Sequence, residues 1–351
     1  MTRCLSCLIP TTRPDTEFTD GMCSACISFA DRQRTDWDAR RLELIELLDR
    51  YDGRCIVASS GGKDSHYQAL TLLNMGAKVT VVTATTCHET RIGRKNIENL
   101  ARYATTIQVT PNRTTRAKLN KLGLQVVGDI SWPEHAAIFS APFRVALAQK
   151  TPLVFYGECP QNQYGGPKGT EHAKRMTARW VSEFGGFLGM RTDDLTDIGD
   201  MSDYELPDGD VEAYFLGQFL PWDSHENAAV AKRAGMIQEL PCPANYWAAE
   251  NLDNAHTGLH DHMMYRKYGY GRGAAQLSVD IRAGLVSREY GLEWVRANDG
   301  LFPYWYAGVS FAEVCDGIGL TEDEVMKIMD DFTNWDLFSH VDDRRPILKA
   351  A

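Results

Sequence analysis

From Asp36 to Tyr51 apolar residues recur at helical spacing, with Trp37, Leu42, Ile45 and Leu48 on one side, which predicts an amphipathic helix. The period then changes. Arg54-Cys55-Ile56-Val57-Ala58 is a short, nearly continuous apolar run, and Asp64 to Met75 is helical again up to Gly76. Val79-Thr80-Val81-Val82-Thr83 is a second β-branched run, and Ile92 to Tyr103 is a further helical stretch. Thr106-Ile107-Gln108-Val109 and Leu153-Val154-Phe155-Tyr156 add two more strand-like runs. Strands that are apolar on both faces and alternate with helices belong to a parallel sheet covered on both sides. An α/β fold is therefore expected, with ligands at the carboxyl ends of the strands.

The two ends break this rhythm. Residues 1–30 are rich in Cys, Pro, Thr and Asp and show little periodicity. The later part of the chain is charged, aromatic and mostly helical in pattern. Ser310 to Phe332 reads as two short helices around Gly317-Ile318-Gly319, with Thr321 as an N-cap and Glu324 three residues on. The acidic residues around this pair, among them Glu313, Asp316, Glu322 and Asp331, favour a packing motif over a DNA reader. The expected organisation is a small module over 1–35, an α/β domain over 36–170, with an outer bound near 225, and a mostly helical region over 171–351.

Composition narrows the partners. Of 351 residues 44% are hydrophobic and 24% charged, the balance of a soluble globule. The formal charge is −10, so a polyphosphate chain would be repelled and no nucleic-acid partner is expected. No apolar run approaches the roughly 18 residues of a membrane span, and Met1-Thr2-Arg3-Cys4 is not the start of a secretory signal. A cytoplasmic protein with no membrane partner is expected. Nine cysteines, an odd number, argue against a disulfide framework. Cys55, Cys87, Cys159, Cys242 and Cys315 stand singly; Cys159, beside a strand, reads as a small buried hydrophobe rather than a sulfur carrier.

The other four form two knuckles. Cys4-x2-Cys7 and Cys23-x2-Cys26 have the spacing of a zinc ribbon, in which four thiolates fill the shell of one structural Zn²⁺ and leave no position for a substrate. A module this small has no core of its own, so the metal supplies its folding energy.

Between the first strand and its helix lies Ser60-Gly61-Gly62-Lys63-Asp64-Ser65. Glycines let a backbone approach an anion, a helix N-terminus turns free N–H groups toward it, and Lys63 adds a charge. The strand–turn–helix context points to phosphate binding. The strand ends add Thr83, Ala84 and Gly157 as further nucleotide contacts, and Glu158 as a carboxylate for Mg²⁺, ribose or substrate. The turn is not a Walker A sequence, which needs four residues between its glycines. It resembles the pyrophosphate-loop (PP-loop) ATPases, adenine-nucleotide alpha-hydrolase-like enzymes that cut ATP between the α and β phosphates.

Further segments resemble the N-acetyl sugar amidotransferases of bacterial surface-polysaccharide and lipopolysaccharide pathways, in order along nearly the whole chain. They are the opening Cys-x2-Cys-Leu-Ile-Pro with Thr12-Arg13-Pro14, Ser60 to Ala69, Ile92 to Leu100, Pro142 to Ala146, Phe155 to Gly166, Leu216-Gly217 with Trp222-Asp223, and Gly258 to Arg282. That resemblance implies conversion of a sugar acetamido group to an acetamidino group. ATP adenylates the amide oxygen, ammonia displaces AMP, and pyrophosphate is released. It implies ATP and Mg²⁺, a nucleotide-linked or nonulosonic sugar, and a separate glutaminase subunit that supplies ammonia. Lys63, Asp64 and Glu158 are the expected catalytic residues; Arg144, Tyr164, His260, Asp261 and Arg272 are the expected sugar contacts. The family more often has Cys-Trp-Pro-Cys-His where this chain reads Ser131-Trp132-Pro133-Glu134-His135, so a thiol role there is absent. The alternative is a tRNA-thiolating PP-loop enzyme, some of which also open with a zinc module. Against it, no second Cys-x2-Cys follows residue 26.

Overall fold

The computed structural model describes residues 1–14, 16–158, 163, 175–176, 195, 198–238 and 242–349. The knuckle segments form β1 (Phe18–Thr19), β2 (Met22–Cys23) and α1 (Ser24–Arg32), and α2 (Trp37–Arg50) leads into the sheet. There β3 (Arg54–Ala58), α3 (Lys63–Asn74), β4 (Lys78–Ala84), α4 (Arg91–Leu100) and β5 (Thr105–Val109) alternate as the apolar runs predict. Then come α5 (Arg113–Val127), α6 (Trp132–Ala148), β6 (Leu153–Tyr156), β7 (Arg175–Met176) and β8 (Glu212–Phe215). The strand order is β5-β4-β3-β6-β8-β7, with the first five parallel and β7 antiparallel to β8. The chain winds outward from β3 to β5 and then returns to the other side of β3. That reversal opens a crevice between the ends of β3 and β6, where open parallel sheets bind ligands.

Both faces of the sheet are covered. Val57, Val81 and Phe155 pack with Leu44, Leu47, Leu48, Leu72 and Leu100 on one face, while Ile56, Val82 and Val154 meet Phe143, Ala146 and Phe215 on the other. The buried stripe of α2 is thus Leu44, Leu47 and Leu48. Leu42 and Ile45, expected on the inner side, are 61% and 39% exposed. Both sets have helical spacing, and contact with the sheet selects the one that meets Val57 and Leu72. The strand β8 is only four residues long and lacks the continuous apolar run of the others, with Glu212 and Tyr214 half-buried.

In the C-terminal region the helix pair around Gly317-Ile318-Gly319 is present as Phe311–Gly317 and Glu322–Asp331. Each opens with a reciprocal capping box, Ser310 with Glu313 and Thr321 with Glu324. Val314, Ile318, Val325 and Met329 pack with Leu259, Met263 and Phe302, so the pair is a packing unit. The zinc-ribbon residues dock on this region rather than on the sheet that follows them in sequence. Arg288 donates to the carbonyls of Cys4 (3.1 Å) and Cys7 (3.2 Å), and Leu8 N donates to Ser278 Oγ (3.1 Å). Among the described residues no helix is long and apolar enough to cross a membrane.

A seam joins sheet and C-terminal region. Thr90 N donates to Asp253 O (3.0 Å), Ala255 N donates to His88 O (3.0 Å), and Asn96 exchanges two bonds with Ile237 (3.0 and 2.7 Å). At Gly93 a Cβ would stand 2.5 Å from Asp253 Cα. Gly93→Ala is expected to push the 252–256 segment away and to cost about 1–3 kcal/mol, read from the midpoint of urea unfolding. An unchanged midpoint would show that the seam yields without cost.

Candidate functional site

The turn after β3 is shaped by its own serines. Ser59 Oγ accepts from Gly61 N (3.0 Å) and Ser65 Oγ accepts from Ser60 N (3.0 Å). Gly61 has φ +79°, and a Cβ there would lie 2.7 Å from Ile97 Cγ1, so only glycine fits. Gly62 caps α3 without a side-chain bond to the first turn. Lys63 is 3% exposed. Its Nζ lies 2.5 Å from Asp64 Oδ2 and 2.8 Å from Glu250 Oε1. Asn227 Nδ2 donates to the other Asp64 oxygen (2.8 Å), and Gln276 Nε2 donates to Glu250 (2.9 Å). Burial alone would raise the Glu250 carboxyl; the Lys63 ammonium and the Gln276 bond hold it below the usual range.

A cleft of about 390 Å³ opens beside this turn. Ser60, Gly61, Gly62, Lys63, Asp64 and Glu158 line one side, and Glu250, Asp253, His260 and Arg272 from the C-terminal region line the other. Arg272 opens the helix Arg272–Arg282 and grips Asp261 with two bonds, 2.8 and 3.1 Å. His260 and Asp261 lie on the helix Thr257–Tyr268, whose neighbouring side chains diverge. His260 Nδ1 meets Asp129 Oδ1 (2.7 Å), Asp261 faces Arg272, and His262 accepts from Arg266 Nε (2.9 Å). Burial opposes charge on His260, but Asp129 overcomes it and raises the imidazole. Burial likewise opposes the Asp129 charge, and His260 overcomes it and lowers the carboxyl.

Not every expected residue reaches the cleft. Ser65 turns inward to close the loop, and Thr83 is buried with its Oγ1 unpartnered. Ala84 packs beside Leu119 and Trp132. Gly157 lies against Gln68 and Trp222, where a Cβ would come within 2.9 Å of Gln68 Nε2. Arg144 lies outside the cleft and pairs with Asp203 at 3.9 Å. Tyr164 and Cys159 fall outside the described residues. The cleft also has residues that sequence reasoning did not single out as site residues: Asn96, Glu134, His135, Glu250 and Asp253. Glu134 is pushed up to about 7 and Asp253 to about 6, both chiefly by burial. Glu250 and Asp253 occupy an aperiodic stretch, Ala248 to Asn254, whose lack of pattern between two helices was the one signal available.

Metals can be tested against these donors. In the ribbon the Cys4–Cys26, Cys7–Cys23 and Cys23–Cys26 sulfurs are 3.7, 3.6 and 3.6 Å apart. Zn–S bonds of about 2.3 Å make a tetrahedron with edges of about 3.8 Å, so the cluster fits Zn²⁺. For Mg²⁺ the cleft offers hard oxygen donors, but no three of its carboxylates converge on one point among the described residues. One or two carboxylates completed by phosphate oxygens and water is the usual Mg²⁺ arrangement.

Two outcomes follow. Cys26→Ser should lose the ribbon zinc, measured as metal per chain, and loosen residues 1–30, measured as faster amide exchange there; retained zinc and unchanged exchange would contradict the four-thiolate site. The His260–Asp129 pair gives stability a pH dependence. Native His260 binds its proton more tightly than the unfolded chain does, so its contribution is whole below about pH 6.5 and fades as pH rises through the raised native value. The Asp129 contribution is whole above about pH 4 and fades as pH falls toward the lowered native value. The stability gap between the native chain and His260→Gln should therefore be larger near about pH 5.5 than near about pH 9. A gap that widens toward alkaline pH would contradict the pairing.

Residues 243–349 match the family described as LPS biosynthesis protein WbpG-like, C-terminal domain. No curated protein sequence matches the chain. Among solved structures, a chain described as a predicted subunit of tRNA methyltransferase from Methanocaldococcus jannaschii DSM is similar at 11% identity and TM-score 0.30, over 63% of this chain and 90% of that one. The matched segment contains Glu250, Asp253, His260 and Arg272, the far wall of the cleft. The likeness to the WbpG-like LPS biosynthesis family thus covers residues 243–349 of this 351-residue chain.

Proposed function

We propose that the protein is an AMP-forming, ATP-dependent amidotransferase that converts the acetamido group of a sugar into an acetamidino group in surface-polysaccharide biosynthesis. The observation that carries this reading is the Ser60–Ser65 turn at the sheet's switch point, facing a wall built by the WbpG-like domain. An amide carbonyl is a poor electrophile and its oxygen a poor leaving group; adenylation remedies both. The amide oxygen attacks the α-phosphorus, the bond to the bridging oxygen breaks, and pyrophosphate departs. Lys63 and the backbone amides at the start of α3 take up the charge on the outer phosphates. Asp64 and Glu158 would hold Mg²⁺, whose contribution is neutralisation of phosphate charge. Ammonia then adds to the imidate carbon. The sugar nitrogen keeps its own N–H; the entering nitrogen gives up one proton, and AMP leaves with the C–O electron pair to give the amidinium. His260, oriented by Asp129, stands on the cleft wall as the group that moves this proton. Arg272, held in place by Asp261, orients the sugar. Ammonia comes from a separate glutaminase subunit, and concentrated ammonium salt replaces that subunit in vitro.

With ATP, ammonium and a panel of acetamido sugars, the purified chain should release AMP and pyrophosphate one for one with a product lighter by the difference between O and NH. Lys63→Ala and Asp64→Asn should each lower kcat by about 10²–10³-fold. Formation of ADP and orthophosphate, or full activity in either variant, would contradict the reading.

A further inference from the structure

Away from the ribbon, one other group of metal-type donors converges among the described residues. Cys87, His88 and His256 each offer one ligand atom, and all three atoms lie within 4.8 Å of one another. Cys87 and His88 sit in the turn between β4 and α4, and His256 immediately precedes the helix Thr257–Tyr268. The seam holds these two segments together: Ala255 N donates to His88 O (3.0 Å), Glu89 bridges Asn254, and His256 N donates to Asn254 Oδ1 (3.1 Å). The three donors are thus pre-positioned by backbone contacts that do not depend on them. His88 is fixed from a third side, where its ring fills the space of a missing Cβ at Gly317, 2.1 Å from that position.

The two imidazoles face each other, with His88 Nδ1 2.7 Å from His256 Nε2. A neutral imidazole binds a metal through its ring-nitrogen lone pair. Zn–N bonds of about 2.0–2.1 Å and a Zn–S bond of about 2.3 Å require donor separations of about 3.3–3.6 Å. Parting the rings by less than about 1 Å brings the two nitrogens to that spacing, and the Cys87 sulfur lies within 4.8 Å of both. A thiolate with two imidazoles is a borderline-soft set, suited to Zn²⁺ or Co²⁺ rather than Mg²⁺.

We propose that Cys87, His88 and His256 form a second zinc site, separate from the ribbon, that ties the sheet to the C-terminal region and keeps a fourth position for water or a ligand. Binding replaces the Cys87 thiol proton, which leaves to solvent, and the hydrogen bond shared by the imidazoles. Thr86 and Thr257, adjacent in sequence to Cys87 and His256, line the cleft, so the site lies directly behind its wall. Glu134, also on that wall, accepts from Cys87 N (3.4 Å) and couples the site to the cleft surface.

The test is zinc content of the full chain after saturation with ZnCl2 and exhaustive dialysis. The native protein should hold two zinc ions, Cys87→Ser one, and Cys26→Ser one, the remaining ion being a different one in each variant. X-ray absorption at the zinc edge on the native protein provides a measurement independent of how the variants fold. It should show nitrogen scatterers at about 2.0–2.1 Å beside the sulfur shell. A single zinc with a sulfur-only shell, or two ions that Cys87→Ser retains, would overturn the proposal and leave the two histidines as a hydrogen-bonded core pair.

Discussion

The buried ammonium of Lys63 is the charge around which the cleft is assembled. An ammonium this far from water is tolerated only beside carboxylates that are themselves held in place. Asp64 is held by Asn227 and Glu250 by Gln276, so four segments distant in sequence meet at one nitrogen. In the proposed reaction, phosphates entering the turn would compete for Lys63 with these carboxylates. The nucleotide binding proposed above would thereby be linked to the position of Glu250, and through Gln276 to the helix that begins at Arg272. An ion pair broken on one side leaves an uncompensated buried charge, which is why this contact constrains both walls at once.

The sheet was legible because its strands are apolar on both faces. Val57 and Ile56 point in opposite directions yet both meet side chains, so the run is continuous and the helices between the runs stand out. The turn was legible because Gly61 has a conformation and a contact with Ile97 that other residues cannot match. The inner face of α2 was not legible, since Leu42 and Ile45 have the same spacing as Leu44, Leu47 and Leu48. Only the sheet's surface distinguishes them. The strand β8 was hidden by its shortness and the lack of a continuous apolar run: what makes it a strand is its neighbour β6.

The far wall of the cleft was the least legible part. Glu250 and Asp253 belong to a loop, and loops carry function without periodicity. Their placement follows from the seam, where the backbone around Thr90 and Gly93 binds the 252–256 segment. The ribbon shows the converse. Its cysteine spacing was plain, but its docking against Ser278 and Arg288 is a tertiary fact. Through those helices the first residues of the chain support the element that presents Arg272 to the cleft.

In the proposed reaction the turn holds the outer phosphates while a carbonyl oxygen of the substrate attacks the α-phosphorus. An acetamido sugar labelled with oxygen-18 in its carbonyl tests this directly, because the reaction carries that oxygen onto AMP. The label is expected in the phosphate of AMP and not in pyrophosphate. Label retained in the product sugar, or released as water or orthophosphate, would contradict it.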